Sequence, residues 1–208
     1  VPVAAPAVAP GAVAPVRRRD SWRASADALA AAGDDLGAAR VLALALRTDD
    51  AAAMPLVATL RRMPEALDPV DQALAGSVRA EAMRVRCEMR LLYRRDRAAV
   101  DACRAFAQLW PEHPGARVLS FAAGRVAEDE LGDLEAAEAE YSRAILLAPL
   151  ASMPSTDALL ARARVRAARG VLDEAGADLR LYLHLEPVAA RDPAVRALMA
   201  RLGLEKEH

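Results

Sequence analysis

Side chains that could catalyse a reaction or hold a metal ion are few in this chain and lie far apart. Its three histidines are His113, His184 and His208, and none has Cys, Asp or Glu at the spacing of a metal site. His113 lies in the turn-like sequence PEHPG, and His184 is flanked by leucines. The sequence has no glycine-rich phosphate loop and no Gly-x-Ser-x-Gly motif. We therefore predict a protein that is not an enzyme and has no catalytic, cofactor-binding or metal-binding residues.

Two cysteines are the other reactive groups. Cys87 and Cys103 are sixteen residues apart and fall in consecutive helical segments, where their side chains could face each other. A disulfide between them would indicate an oxidising compartment. Cysteine is also a common small core residue at alanine-like positions. The sequence leaves both interpretations open, and an assay of free thiols under denaturing conditions separates them.

Arginine provides most of the positive charge, since Lys206 is the only lysine. Helical spacing places six arginines in two groups, each on one helix face: Arg79, Arg86, Arg90, Arg162, Arg166 and Arg169. One interpretation is a ladder of ion pairs between stacked helices, running from Arg90 through Glu128 to Arg166, which contributes little if it is exposed. The other is a charged stripe along a groove that binds an acidic peptide or the C-terminus of a partner.

The composition excludes several classes of function. The chain has 28 basic and 29 acidic residues, so it lacks the cationic field of a general nucleic-acid-binding protein. Aromatic residues make up only 3% of it, too few for the base-stacking platforms of single-strand binders. No apolar run reaches the ~20 residues of a membrane-spanning helix. We predict a protein or peptide partner, which could itself be membrane-associated, and no nucleic acid.

Residues 1–19 differ from the rest of the chain. They begin with the uncharged sequence VPVAAPAVAPGAVAPV, which has no helical period and cannot bury enough surface to order itself. We predict a flexible Ala/Pro-rich linker over 1–19 and a helical domain over 20–208. Together with the arginine bias, the linker slightly favours the periplasm or cell envelope of a bacterium over the cytoplasm.

From residue 20 onward, apolar residues recur at helical spacing and no convincing strand pattern is present. Asp68 before Pro69 and Asp192 before Pro193 are typical helix starts. Gly33, Gly132 and Gly170, like Gly203, suit left-handed helix ends. The pattern predicts helices at 20–32, 35–48, 53–62, 69–94, 97–109, 115–131, 134–147, 155–169, 172–185 and 193–202.

An internal repeat of 38 residues underlies this pattern, since 149−111 = 38 and 187−149 = 38 for three prolines. The same step relates a series of alanines and, four residues later, a series of larger residues: Ala99, Ala137 and Ala175, then Cys103, Tyr141 and Leu179. Sixteen residues before the alanines lie Met83, Phe121 and Leu159. A fourth, earlier copy contains Trp22, Ala38 and Leu42. Small residues let two helices approach within ~8–10 Å, so we expect the alanines at helix crossings.

These residues resemble the tetratricopeptide repeat family, whose unit is a helix–turn–helix of about 34 residues with an Ala-x3-Phe motif and a closing proline. Ala137, Tyr141 and Pro149 match the second half of that unit, Gly132-Asp133 resembles its turn, and Trp22 its opening tryptophan. Residues 49–79 match no unit. The resemblance implies an all-α fold, a right-handed α–α superhelix of stacked antiparallel helix pairs, ending in a capping helix at 192–203.

The resemblance also implies the function. Proteins of this family are scaffolds, so we predict a non-enzymatic scaffold or adaptor that holds a partner within a larger assembly. The alternative is a regulatory or accessory helical domain of a larger envelope signalling protein or enzyme. The predicted partner-binding residues are the six arginines, and the predicted repeat-packing residues are Trp22, Ala38, Ala99, Phe121, Ala137, Tyr141, Ala175 and Leu179.

Overall fold

The computed structural model describes residues 21–147 and 153–204, and these residues form helices and turns without a strand. Short 3₁₀ segments lie at Asp50–Ala52, Pro64–Ala66 and Pro187–Arg191. The α-helices are α1 (Ser21–Ala31), α2 (Asp35–Leu46), α3 (Ala53–Arg62), α4 (Leu67–Leu74), α5 (Ala80–Tyr93), α6 (Arg97–Leu109), α7 (Pro114–Asp129), α8 (Leu134–Leu146), α9 (Met153–Arg169), α10 (Leu172–Leu185) and α11 (Pro193–Arg201).

Consecutive helices pack in antiparallel pairs: α1 with α2, α5 with α6, α7 with α8, and α9 with α10. The short helices α3 and α4 take the place of a pair between α2 and α5. Each second helix of a pair also contacts the first helix of the next, as α6 contacts α7 and α8 contacts α9, while the first helices α5, α7 and α9 contact one another in order. The result is an all-α helical-repeat solenoid, as predicted.

Most predicted helices are confirmed, but the single helix predicted over 69–94 is wrong. Helix α4 ends at Leu74, Gly76 has φ +73°, and α5 begins only at Ala80. Asp68 is not an N-cap, because α4 already begins at Leu67; its carboxylate instead accepts from Arg94 Nη2 at 2.6 Å. The helical pattern continued across this break because the loop also carries apolar residues.

The remaining helix ends follow the sequence signals. Asp192 caps α11 by accepting from the backbone N–H of Ala194 at 2.7 Å, as predicted. The four predicted glycines have positive φ. In the turn between α5 and α6 the same place is taken by Arg95, with φ +51°. A non-glycine residue is strained there, which makes this turn the exception among the pairs.

The alanines of the repeat are at the helix crossings. Ala99, Ala137 and Ala175 have no exposed surface, and Ala38 is also buried. Tyr141 and Leu179 are fully buried, whereas Trp22 is half-buried and donates its indole N–H to Asp49 at 3.1 Å. Small side chains at these positions let the paired helices pack closely.

A larger side chain at the crossing of α7 and α8 should destabilise the fold. Ala137→Leu adds three carbons to a site with no free surface, so we expect the free energy of unfolding to fall by roughly 1–3 kcal/mol. The control is Ala139→Leu, at an exposed position of the same helix. Thermal unfolding followed by circular dichroism compares the two, and equal melting of Ala137→Leu and the parent would contradict the packing described.

The residues predicted sixteen before the alanines do pack inward: Leu159 is fully buried, Phe121 lies against Tyr141, and Met83 packs beside Phe106. In α7 the residue under Tyr141 is Gly124: a Cβ there would lie 2.5 and 2.6 Å from two carbons of the Tyr141 ring. Phe121 is half-buried beside the same ring, with centroids 5.7 Å apart. Tyr141 thus packs against the first helix of its own pair, and not only across to the next pair as predicted.

A disulfide joins Cys87 on α5 to Cys103 on α6, with the two Cα atoms 4.7 Å apart. Both cysteines are fully buried. Cys103 occupies the repeat position of Tyr141, so the bond replaces the contact that Tyr141 makes with Gly124 in the next pair. The structure therefore selects the bonded interpretation of the two that the sequence left open.

Candidate partner-binding site

The first helices α5, α7 and α9 share one accessible face. On each of these helices, four residues with successive spacings of three, four and four point to the same side. All twelve side chains are exposed or half-buried. We call this surface the first-helix face. Its residues are Glu81, Arg84, Glu88 and Leu92 of α5; Val118, Phe121, Arg125 and Asp129 of α7; and Asp157, Leu160, Arg164 and Ala168 of α9.

Apolar side chains are unusually accessible on this face. Leu92 is 52% exposed and Val118 is 48% exposed, while Phe121 and Leu160 are half-buried. A cleft of about 300 Å³ lies between α5 and α7 and is lined by Leu91, Arg95, Phe121, Ala122, Arg125 and Val126. Apolar clefts bordered by a few polar groups are the usual form of a binding site.

Charged groups of both signs alternate with these apolar side chains. Arg84 is held between Glu81 and Glu88 on α5. Arg125 binds Asp129 at 2.9 Å on α7, and on α9 Arg164 reaches Glu128 of α7 at 3.4 Å. The three arginines of the face are therefore all paired with carboxylates, and the face has no single sign.

The buried Tyr141 positions the carboxylate of Glu128, which binds Arg164 of the face. Its hydroxyl donates to Glu128 Oε2 at 2.6 Å, which places the carboxylate of α7 within reach of Arg164. Burial, and then the hydrogen bond to Glu128, raise the pKa of Tyr141 far above its ordinary value. The tyrosine thus stays protonated and acts as a fixed donor.

His113 joins α7 to α5 at one end of the face. Its Nδ1 accepts from the backbone N–H of Gly115 at 3.0 Å and caps α7, so the proton is on Nε2, which donates to Glu81 at 3.0 Å. Burial would raise the pKa of Glu81, but hydrogen bonds from Arg84 and His113 outweigh it and lower that pKa. His113 is therefore a structural cap, and it lies in a turn as its sequence context predicted.

The six predicted arginines lie elsewhere. They do share a side of α5 and of α9, but that side is turned toward the second helices and holds carboxylates there. Arg86 and Arg90 bind Asp71 of α4, at 2.7 and 2.8 Å. Arg162 and Arg166 bind the buried Asp178 of α10, at 2.6 and 2.9 Å.

The outer two of the six are also paired. Arg79 binds Asp50 at 2.8 Å, and Arg169 binds Glu138 of α8. All six arginines are therefore held by carboxylates of this chain, and their contact with a partner stays a prediction.

The predicted ladder of ion pairs has the wrong members. Arg90 binds Asp71 and Asp96, and Glu128 binds Tyr141 and Arg164. Arg166 binds Glu138, Glu174 and Asp178. Ion pairs do connect neighbouring helices, as expected. Those of Arg162 and Arg166 run from a first helix to second helices, whereas Glu128 and Arg164 join two first helices.

Acid should weaken the ion pairs of Glu138. Burial would raise its pKa, but the hydrogen bond and charge of Arg166, with the charge of Arg169, outweigh burial and lower it. A carboxylate with a lowered folded-state pKa stabilises the fold above its unfolded pKa, here 4.5, and loses that contribution as the pH falls below this value through the folded pKa. We expect stability to fall less steeply with acid in Glu138→Gln than in the parent, by urea unfolding at several pH values.

The control for this titration is Glu135→Gln, because Glu135 is exposed on the same helix and makes no ion pair among the described residues. The stability of Glu135→Gln should fall with acid as steeply as that of the parent. Equal slopes in all three proteins would contradict the assignment of acid sensitivity to Glu138.

Within the described residues, no cluster of His, Cys, Asp or Glu is arranged to hold a metal ion. None of the helices over the same residues is both long and apolar enough to cross a membrane.

Sequence reasoning missed Gly124 and the first-helix face. A signal for the face was present: the spacing of three, four and four recurs from Glu81, Val118 and Asp157, with steps of 118−81 = 37 and 157−118 = 39. These steps differ from 38, so a repeat of constant length is offset by one residue on α7. The role of Gly124 was not predictable from sequence, because the reason for a glycine inside this helix is the Tyr141 ring that packs on it from α8.

Known structures resemble this chain in fold. The crystal structure of MamA protein is 18% identical over 84% of this chain and 95% of its own, with a TM-score of 0.51. A tetratricopeptide repeat protein from Parabacteroides merdae is 16% identical over 91% of this chain and 75% of its own, with a TM-score of 0.47. No protein-family model and no curated protein sequence matches the chain.

The likeness to MamA agrees with the antiparallel helix pairs. The chain has a tetratricopeptide-like fold. At this identity the likeness concerns the fold alone. The first helices α5, α7 and α9 contact one another in order and leave one side of each accessible, which is the first-helix face.

Proposed function

We propose that this chain is a protein–protein interaction scaffold that binds a partner protein or peptide on its first-helix face. The observation that supports this best is the accessibility of apolar side chains there, since Leu92 and Val118 are exposed and Phe121 lines the cleft between α5 and α7. Accessible apolar surface bordered by polar groups is typical of protein interfaces. Ion pairs within the chain hold the surrounding charges in place before a partner arrives.

The partner is a protein surface or peptide that presents apolar side chains between charges of both signs. Arg84, Arg125 and Arg164 can each offer donors to a carboxylate, while Glu81 and Asp157 can accept from basic groups. The face therefore selects a partner by pattern and not by net charge. Arg79 and Arg169, the most accessible of the six predicted arginines, can extend the contact from its border.

The setting we propose is an oxidising compartment, either the periplasm or the envelope of a bacterium. The disulfide between Cys87 and Cys103 supports this, because such bonds persist where thiols are not kept reduced. The same setting suits the alternative role, a regulatory or accessory domain of a larger envelope signalling protein or enzyme. A partner attached to the membrane is compatible with either role.

A capture experiment with matched variants tests the binding face. The chain with the double substitution Leu92→Glu/Val118→Glu is compared with Leu172→Glu, because Leu172 is as exposed as Val118, at 48%, and lies on a second helix. We expect a protein captured from source lysate by the parent and by Leu172→Glu to be lost with the double variant. Capture of nucleic acid alone, or equal capture by all three proteins, would refute the proposal.

The compartment is tested separately by alkylating the denatured protein directly from cells, without reductant. We expect neither cysteine to be labelled. Labelling of both at full yield would place the protein in a reducing compartment and leave the binding proposal untouched.

A further inference from the structure

The turn between α5 and α6 holds a residue in a backbone conformation that its type does not favour. This residue is Arg95, with φ +51°. The corresponding residues of the other three pairs are Gly33, Gly132 and Gly170, all with positive φ. A left-handed conformation is unfavourable for a residue with a Cβ, but not for glycine. Residues held in such conformations cluster at functional sites.

The stability of the turn does not explain the arginine. Within the described residues, its guanidinium makes one ion pair, from Nη2 to Glu130 Oε1 at 2.7 Å. The two side chains are 49% and 44% exposed. An ion pair between side chains this exposed contributes little, less than the left-handed conformation costs. Glycine would therefore make the turn more stable than Arg95 does.

Arg95 does, however, line a cleft. Together with Arg125, it borders the cleft of about 300 Å³ between α5 and α7. The other lining residues are apolar, namely Leu91, Phe121, Ala122 and Val126. This volume is at the small end of the range for ligand sites, so the cleft can take one or two side chains of a partner.

The lining of the cleft is positively charged. Arg95 and Arg125 belong to it, whereas the carboxylates that bind them, Glu130 and Asp129, do not. Arginine has five N–H donors, of which Arg95 uses Nη2 for Glu130 and Arg125 uses Nε and Nη2 for Asp129. Both arginine side chains are about half exposed. A further carboxylate can therefore reach donors of either guanidinium.

We propose that this cleft binds a segment of the partner in which a large apolar side chain stands next to an acidic one. The apolar side chain packs against Leu91, Phe121 and Val126, and the acidic side chain binds Arg95 and Arg125. The inference rests on the proposed function, because Phe121 and Arg125 belong to both the cleft and the first-helix face.

A basic or a purely apolar segment suits the cleft less well. A basic side chain would meet two arginines in a lining that has no carboxylate. A purely apolar segment would remove water from the arginine donors without replacing its hydrogen bonds. An acidic side chain, in contrast, accepts charge-assisted hydrogen bonds from the same donors.

Two substitutions separate the backbone of Arg95 from its side chain. Arg95→Gly and Arg95→Ala both remove the guanidinium, but only glycine relieves the left-handed conformation. We expect Arg95→Gly to raise the melting temperature by about 2–4 °C and Arg95→Ala not to raise it. If Arg95→Gly melted below the parent, the arginine would be explained by stability and the inference would be overturned.

Binding is measured with peptides selected from a random library displayed on phage, with the full chain as the target. We expect the selected peptides to contain Asp or Glu next to Leu, Met or an aromatic residue. The affinity of one synthetic peptide from this set is then measured by fluorescence anisotropy. Arg95→Gly and Arg95→Ala should weaken its binding by the same factor, roughly tenfold.

Arg97→Ala is the matched control. Arg97 is also exposed and is ion-paired to Asp133, but it lies on α6 and does not line this cleft. Arg97→Ala should bind the peptide as tightly as the parent does. An amide in place of the acidic residue of the peptide should weaken binding to the parent roughly tenfold, and binding to Arg95→Ala by less, because part of the interaction is already lost there.

The capture experiment separates this inference from the function on which it rests. If Leu92→Glu/Val118→Glu captures the same proteins as the parent, the proposed function fails and the inference fails with it. If that double variant loses a partner that Arg95→Ala captures as well as the parent does, only the inference is overturned. Selected peptides that are basic or uncharged, or a library that yields no binding peptide, would overturn the inference as well.

Discussion

Gly124→Ala should lower the free energy of unfolding by about 2 kcal/mol, although alanine is normally the better helix former. The added Cβ would lie 2.5 Å from a ring carbon of Tyr141, well inside contact distance. That ring is fully buried, packs beside Phe121 and is bonded through its hydroxyl to Glu128, so it has no free direction in which to move. Urea unfolding followed by circular dichroism measures the change.

Gly176→Ala is the matched control. Gly176 also lies inside a helix, α10, but the nearest atom to an added Cβ is Arg180 Nη1 at 3.5 Å, the end of a flexible side chain. Alanine should therefore stabilise the protein by up to about 1 kcal/mol at this position. If both substitutions changed stability in the same direction and by the same amount, the close packing of Tyr141 on α7 would be wrong.

Loss of the disulfide is the second large effect that we expect. The bond between Cys87 and Cys103 closes a loop of sixteen residues in the unfolded chain. A loop of about this length corresponds to about 3 kcal/mol of stability in the chain-entropy description. For a chain of this size, that loss lowers the melting temperature by about 6–12 °C.

The measurement compares the melting temperature of the parent with and without a reductant, which keeps both sulfur atoms in place. Cys87→Ala/Cys103→Ala serves as the control, because its melting temperature should not respond to the reductant. A parent that melts at the same temperature in both conditions would show that the bond contributes nothing to the folded state's stability.

The sequence predicted the parts of the fold that depend on small residues at fixed intervals. Ala99, Ala137 and Ala175 were placed at helix crossings because no larger side chain allows close approach, and all three are fully buried there. The N-cap at Asp192 followed from the chemistry of one carboxylate before a proline. Such local rules do not require knowledge of neighbouring helices.

The break between α4 and α5 was not predictable in the same way. Apolar periodicity runs through residues 75–79, and Gly76 alone does not end a helix. The helix ends there because α4 packs on α2 and α5 packs on α3, so the chain must turn between them. The role of Asp68 was likewise not predictable from local sequence, because its carboxylate accepts a hydrogen bond from Arg94, which is distant in sequence.

The arginines show the limit of helical periodicity most clearly. A helix wheel groups Arg86 with Arg90 and Arg162 with Arg166, and these groupings are correct. It does not tell which side of the helix faces solvent when two opposite sides are buried, as in α5. Asp71 and Asp178, which bind these arginines, lie on other helices and fix the answer only in three dimensions.

Methyl NMR of the chain titrated with its captured partner tests the proposed binding face most directly. Binding on the first-helix face predicts that the methyl signals of Leu92, Val118 and Leu160 shift or broaden, while those of Leu44 and Leu172 on second helices stay unchanged. Changes confined to Leu44 and Leu172 would contradict it.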